Sequence, residues 1–429
     1  MGCRTCPRVA GGPKTSSIIM TEFTNTKYYT LGSVVSNIDG SQYTHIQYNF
    51  INPDSGICQL SDPWGDTRLQ FPSSPLGSDS GDPYKGHLNQ LRRLKLAYPH
   101  LKTMMSIGGL NNSVNFSIIA ADSSARVKLA TSCATLMQFY GFDGINIDWV
   151  YPATGGKSGN TQSSSDNDNL NLLMAAFRTA LPQTSYLSAS VFFRPNTMST
   201  RYNLAGMAPY VDWINDRSHS FSGGFDTVVA HHSSAYPPDA GSPSLRGSTV
   251  DLNAIVSLGI SPCKILLSIP SFGFGWTLPS TPNDASFPSI YAVGTAKSWL
   301  AGTDLAGRYI DRDIYGSFTS QNSWITLWDS KAKASMRYQW TSRKIVTYES
   351  ASAAVIKAQY VADNGFSGIN IDDFHGDETY NTLIAAVVQT MQTEMPCVMT
   401  TVKKLSTKKA ITKKPTTRRL TPKRSTTNK

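Results

Sequence analysis

Eight short apolar runs recur along the chain, most of them separated by segments with helical periodicity. No other feature narrows the fold as much. Strands that are each followed by a helix build a parallel sheet with the helices outside it. Eight such units close into a (β/α)8 TIM barrel, an α/β architecture. The strand candidates are Ser16–Phe23, Tyr43–Phe50, Leu101–Leu110, Gly141–Pro152, Ser185–Val191, Tyr210–Asn215, Lys264–Trp276 and Gly365–Gly376. Helical spacing is clear at Gly86–Tyr98, where Leu88, Leu91 and Leu94 lie near one side, and a second helix is expected around Ser124–Tyr140. A length of 429 residues is natural for one elaborated barrel.

The fourth run, Gly141–Pro152, alternates apolar and polar residues as a strand does. Core packing gives no reason for Asp143, Asn146 and Asp148 to stand so close together. The run resembles the signature strand of family 18 chitinases, DGxDxDxE within a phrase close to FDGIDIDWEYP. The match fails where the family carries its proton-donating Glu, which falls on Val150, and its middle Asp falls on Asn146. Further phrases resemble the family in the right order. They are Thr44–Phe50, the SxGG of Ser106–Gly109, Tyr210–Asn215, Lys264–Trp276 and Gly365–Gly376. The resemblance covers about residues 16–390. It implies a small α+β domain inserted late in the barrel, at about 280–345, before the chain rejoins near Thr347 and a helix ends near Ala362.

The resemblance also implies a chemistry. In this family the substrate's own N-acetyl group attacks the sugar carbon, so one general acid is needed, and an Asp orients the acetamide. Alternate strand residues share a face, so Asn146, Asp148 and Val150 are expected to point together at the C-terminal mouth of the barrel, with Trp149 turned toward the helices. Val150 cannot donate a proton, and a positioned acid is worth about 10²–10⁴ in rate. Asp148 could still accept an acetamide N–H, or be a barrel-lining group satisfied by its neighbours. Asn146 carries no charge and cannot share a proton with Asp148. Asp143 is a motif residue or simply a hydrogen-bonding residue at the strand start. Arg217-Ser218-His219-Ser220 stands where the family has MxYD, and Leu110 where it has Trp. Ser367 stands at the sugar-floor Trp, and Thr21 or Glu22 at the strand-one Tyr. Glu22, Asp372, Asp373, His219, His231 and His232 are candidates to replace the acid, or ordinary polar groups of barrel and loops. Sugar contacts are expected from Asp148, Tyr48, Tyr151 and Trp276, with Trp64 also near the barrel top. No metal-ligand spacing, phosphate loop or nucleophile elbow is present, so no metal and no cofactor are expected.

The formal charge of +10 belongs to the end of the chain. Residues 403–429 hold eleven Lys and Arg and no acid, leaving about −1 for the rest. The end reads as five pentapeptides led by basic pairs, a disordered tail over 398–429 that could meet an anionic partner. It lacks aromatic residues, which argues against specific nucleic-acid binding. Residues 1–15 form an N-terminal extension without the apolar core of a secretory signal, and no run is long enough to span a membrane. Localisation is therefore open, although the resemblance favours the extracellular space. Six cysteines permit disulfides without specifying a pairing. Asn111-Asn112-Ser113 and Asn115-Phe116-Ser117 are glycosylation sequons. The functional expectation is a catalytically impaired chitinase-like protein that binds chitin or N-acetylglucosamine oligomers. The alternatives are an active or altered hydrolase on chitin-type substrates, and a scaffold barrel with an idle cleft.

Overall fold

The computed structural model describes residues 17–77, 81–192, 198–238, 246–280, 290–291, 293–297, 299 and 307–394. The basic tail and nearly all of the N-terminal extension lie outside them.

Eight parallel strands form the barrel: β1 Ile18–Thr24, β2 His45–Asn52, β3 Lys102–Gly108, β4 Gly144–Asp148, β5 Tyr186–Val191, β6 Trp213–Asp216, β7 Ile265–Pro270 and β8 Gly368–Asp372. Neighbours in the chain are neighbours in the sheet, and β1 pairs with both β2 and β8, which closes the ring. Local chemistry sets the strand starts. The helix Ser123–Tyr140 begins where Asp122 accepts the N–H of Ala125 at 2.7 Å. It ends at Gly141, whose φ of +72° lets the chain turn directly into β4.

The barrel interior is stratified. At the N-terminal end Ile18, Met20, Met104, Tyr186, Trp213 and Leu266 form an apolar floor. Above it lies a layer of amides and hydroxyls, and above that a ring of charge at the mouth. Outward-facing strand residues such as Ile145 and Ile147 pack against the helices in the main core, and Trp149 stacks on Phe116 with ring centroids 5.3 Å apart.

Lys264–Trp276 is not one strand. It divides at Ser271, whose backbone N–H donates to Asp372 O at 2.7 Å. Ile265–Pro270 stays in the barrel, and Phe272–Thr277 leaves it to join a separate six-stranded antiparallel sheet whose last strand is Lys344–Tyr348. Along Phe272–Thr277 the large side chains Phe272, Phe274 and Trp276 enter that sheet's core. Gly273 and Gly275 alternate with them because the other face is already filled. A Cβ on Gly275 would come within 2.8 Å of the Trp299 and Tyr309 rings.

Cys58 and Cys133 form a disulfide across 75 residues, with Cα atoms 4.9 Å apart. It ties the loop after β2 to the helix Ser123–Tyr140. Closing a loop of that length restricts the unfolded chain, so Cys58→Ser with Cys133→Ser is expected to lower stability by about 2–5 kcal/mol. Urea unfolding of the pair beside the parent measures it, and an unchanged midpoint would refute the expectation. No helix among the described residues is long and apolar enough to cross a membrane.

Candidate active site

At the mouth of the barrel one guanidinium holds three carboxylates. Arg217, the first residue after β6, donates from Nη2 to Glu22 Oε2 at 2.9 Å and to Asp148 Oδ2 at 3.0 Å. Its Nη1 donates to Asp372 Oδ2. Glu22 comes from β1, Asp148 ends β4 and Asp372 ends β8, so the cluster ties four strands together. All four side chains are largely buried, Arg217 at 6% and Glu22 at 1% exposure. His219 Nε2 lies 3.1 Å from Asp372 Oδ2, and the Phe192 ring lies 5.4 Å from the guanidinium carbon.

One positive charge cannot balance three buried negative ones. Burial raises the Glu22 carboxyl to about 7 against the pull of Arg217, with Asp372 and Asp148 adding to the rise. Burial likewise raises Asp148, again opposed by Arg217. Burial also pushes Asp372 upward, but Arg217 and His219 outweigh it and hold that carboxyl well below the usual range. Burial pulls the His219 imidazole below its ordinary value despite Asp372, so the ring is neutral at pH 7. The cluster thus has one firm carboxylate, Asp372, beside a Glu22 carboxyl raised to about 7.

The layer beneath is a network of amides and hydroxyls that also reaches up to Glu22. Asn146 Nδ2 donates to Ser106 Oγ at 3.2 Å and to Ser190 Oγ at 3.1 Å, and its Oδ1 accepts from Ser188 Oγ at 2.9 Å. An amide suits this place because it can donate and accept at once. Asn370 Nδ2 donates to Glu22 Oε1 at 2.7 Å, and Asn49 Nδ2 to Glu22 Oε2 at 2.7 Å. Beyond the end of β4, Val150 is buried. Its N–H donates to Ser113 Oγ at 3.0 Å, and its carbonyl accepts from Asn160 Nδ2 at 2.9 Å.

The model of the glycosyl hydrolases family 18 matches residues 21–377. The chain belongs to that family. Chitinase A1 of Niallia circulans is 28% identical over an alignment of 390 positions that covers 80% of this chain and 54% of the relative. The chain therefore spans about half the length of that protein. Endochitinase 1 of Metarhizium robertsii is 26% identical, covering 81% of this chain and 78% of the relative. Among solved structures, Chitinase ChiA74 from Bacillus thuringiensis superposes with a TM-score of 0.79 at 24% identity, over 88% of this chain and 70% of that one. The Group IV chitinase of Ostrinia furnacalis gives 0.75 at 20% identity, over 89% of this chain and all of that one.

In this family 18 barrel the residues expected to meet sugar are dispersed. Asp148 is at the mouth, but its Oδ2 is taken by Arg217. Tyr48 is fully buried on the helix side of β2, where its hydroxyl donates to Asp66. It offers no ring face to a ligand. The alternation that turns Gln47 and Asn49 inward turns Tyr48 outward, a signal already present in the sequence. Trp276 is also fully buried, inside the core of the second sheet, because the strand leaves the barrel six residues before it. Tyr151 remains half-exposed, with the Arg201 guanidinium 4.4 Å over its ring and Phe192 edge-on at 5.2 Å. Asp143 sits at the opposite end of β4. It pairs with Lys95 Nζ at 2.6 Å and accepts the Thr103 N–H at 2.7 Å, a structural anchor remote from the mouth.

Ser367 is not at the sugar floor either. Its carbonyl accepts from Ile18 N–H at the start of β8, beside the apolar floor, and the β8 residue that reaches the mouth is Asp372. At strand one it is Glu22, not Thr21, that turns inward, since Thr21 Oγ1 donates to the β8 backbone at Ile371 O. Asp373 caps the short helix Phe374–Asp377, accepting the Gly376 N–H at 3.2 Å. His231 Nε2 contacts Asp329 at 3.0 Å, and His232 is buried between the Phe272 and Phe274 rings. The role of Arg217 was not readable from its motif position. It depends on Glu22 and Asp372 arriving from strands 195 and 155 residues away.

Proposed function

We propose that this chain is a non-hydrolysing chitinase-like protein that meets chitin-type oligosaccharides with the rim of its barrel rather than with the old reaction centre. The observation that carries this reading is Arg217. With Val150 in place of the acid, the Asp that should orient an acetamide is paired to a buried guanidinium. Glu22 has a carboxyl near pH 7, the range suited to a general acid. It is nonetheless enclosed, with both oxygens accepting from Asn370, Asn49 and Arg217, so a relocated acid is not favoured. The rim keeps half-exposed rings. Tyr29 and Trp64 lie with centroids 6.4 Å apart, and the Tyr29 hydroxyl donates to Asp62 at 2.6 Å. Such faces suit the C–H side of a sugar. The enclosure of Tyr48 and Trp276 favours a second reading, a scaffold whose cleft is idle.

Retention on chitin beads, compared with cellulose, separates the two. The expected result is retention that falls at least about tenfold in Tyr29→Ala with Trp64→Ala, a loss of about 1.4 kcal/mol. No cleavage of a fluorogenic chitotriose is expected from either protein. Failure of the parent to bind beads or chitohexaose would leave the scaffold, and turnover by the parent would refute the non-hydrolysing reading.

A further inference from the structure

The loop that follows β3 carries two sequons within seven residues, and the fold treats them differently. Asn111 is exposed in a turn closed by the Asn112 N–H to Gly109 O at 3.2 Å. The turn is pinned to the altered motif. Ser113, the hydroxyl residue of the first sequon, donates to Gly109 O at 2.8 Å and accepts the Val150 N–H at 3.0 Å. Leu110, at the mouth beside Asn111, is 48% exposed. Asn115, by contrast, is half-buried, and its Nδ2, the atom a sugar would join, donates inward to Asp54 O at 3.0 Å. Ser117 of the second sequon, buried as Ser113 is, donates to Asp166 Oδ1 at 2.7 Å. A glycan on Asn115 would displace Asp54 and loosen the helix Phe116–Ala121 that begins there.

Oxidation state bears on the compartment. Cys58 and Cys133 are bonded, and no described cysteine is a free thiol. Persistent disulfides belong to oxidising compartments such as the secretory route, where glycosyl transfer to Asn also takes place.

We propose that Asn111, and not Asn115, is an N-glycosylation site whose glycan stands on the rim of the barrel mouth, next to the altered motif. The donor is a polyprenyl-diphosphate oligosaccharide. A bond forms between Asn111 Nδ2 and the sugar C1, and the C1–O bond to the diphosphate breaks. The diphosphate leaves with that electron pair, and Nδ2 gives up one proton. The product is bulky and hydrated, and it covers the exposed Leu110. This inference does not depend on whether the cleft binds sugar.

The test is secretion of the full chain from yeast behind an added leader, followed by peptide N-glycosidase. That enzyme converts a glycosylated Asn to Asp, which peptide mass spectrometry locates. The expected result is one gel shift, conversion at Asn111 only, and complete loss of the shift in Asn111→Gln. Because Asn111 is exposed, that variant should keep the parent's unfolding midpoint. Secreted protein with no shift, or conversion at Asn115, would overturn the proposal. Locating the modified residue in the parent itself keeps the result independent of whether an Asn115→Gln control folds.

Discussion

Arg217→Met should destabilise the protein by about 3–5 kcal/mol, the usual cost of removing one partner from a buried ion cluster. The variant leaves Glu22, Asp148 and Asp372 facing one another without a counter-charge. Adding Glu22→Gln should recover part of the loss, because it removes one of the three negative charges while its one carbonyl oxygen still accepts from Asn49 or Asn370. Urea unfolding of the parent, single and double variants measures both effects. A single variant within about 1 kcal/mol of the parent would mean that the cluster contributes little. The pH dependence has a definite sign. Glu22 is raised from 4.5 to about 7 in the fold, so between those values the folded protein holds a proton that the unfolded chain has released. Stability from this group is therefore full below about 4.5 and falls as pH rises through about 7. Asp372 acts oppositely, since its depressed carboxyl gives stability that is lost only in strong acid. Glu22→Gln should remove the decline between pH 4.5 and 7 while leaving the acid limb in place.

On the proposed non-hydrolysing reading, introducing the two motif carboxylates alone should not give hydrolysis. In Val150→Glu with Asn146→Asp, the acid returns but Asp148 is still paired with Arg217. Adding Arg217→Met and Glu22→Gln frees Asp148 and opens the space the guanidinium fills. The four-site variant is expected to exceed the two-site variant by about 10²–10⁴ in kcat/KM on a fluorogenic chitotriose, the range ascribed to one positioned catalytic group. Circular dichroism and an unfolding curve show whether each variant is folded before rates are compared. Equal activity in the two variants would show that Arg217 does not obstruct the site.

The barrel was legible in the chain because its evidence is local. Strands such as His45–Asn52 and Gly144–Asp148 alternate apolar and polar residues in the sequence, the polar ones turned into the barrel, although the fold buries nearly all of both strands, and the Ser123–Tyr140 helix carries its own caps. The juxtaposition of Asn146, Asp148 and Val150 was legible for the same reason, since the three are neighbours on one strand and its end. Two site assignments failed on strand geometry rather than on chemistry. Tyr48 has the parity of the outward face, and Trp276 lies past the point at which Ser271 redirects the chain. Ser367 precedes the last barrel strand, whose mouth end lies five residues further on at Asp372. The Arg217 cluster was not legible, since long-range convergence of single residues leaves no pattern in a one-dimensional string.

The stratified barrel interior also bears on how such a protein could change with time. The charged groups of the mouth are joined through one guanidinium, so the mouth behaves as a unit. On the proposed non-hydrolysing reading, an acid at Val150 confers nothing while Arg217 stays, and losing Arg217 first leaves three carboxylates uncompensated. Every single step back toward hydrolysis is therefore either neutral or harmful. On that reading the present mouth acts as an evolutionary ratchet, and a lineage that has reached it is free to elaborate its rim but not to retrace its path one residue at a time.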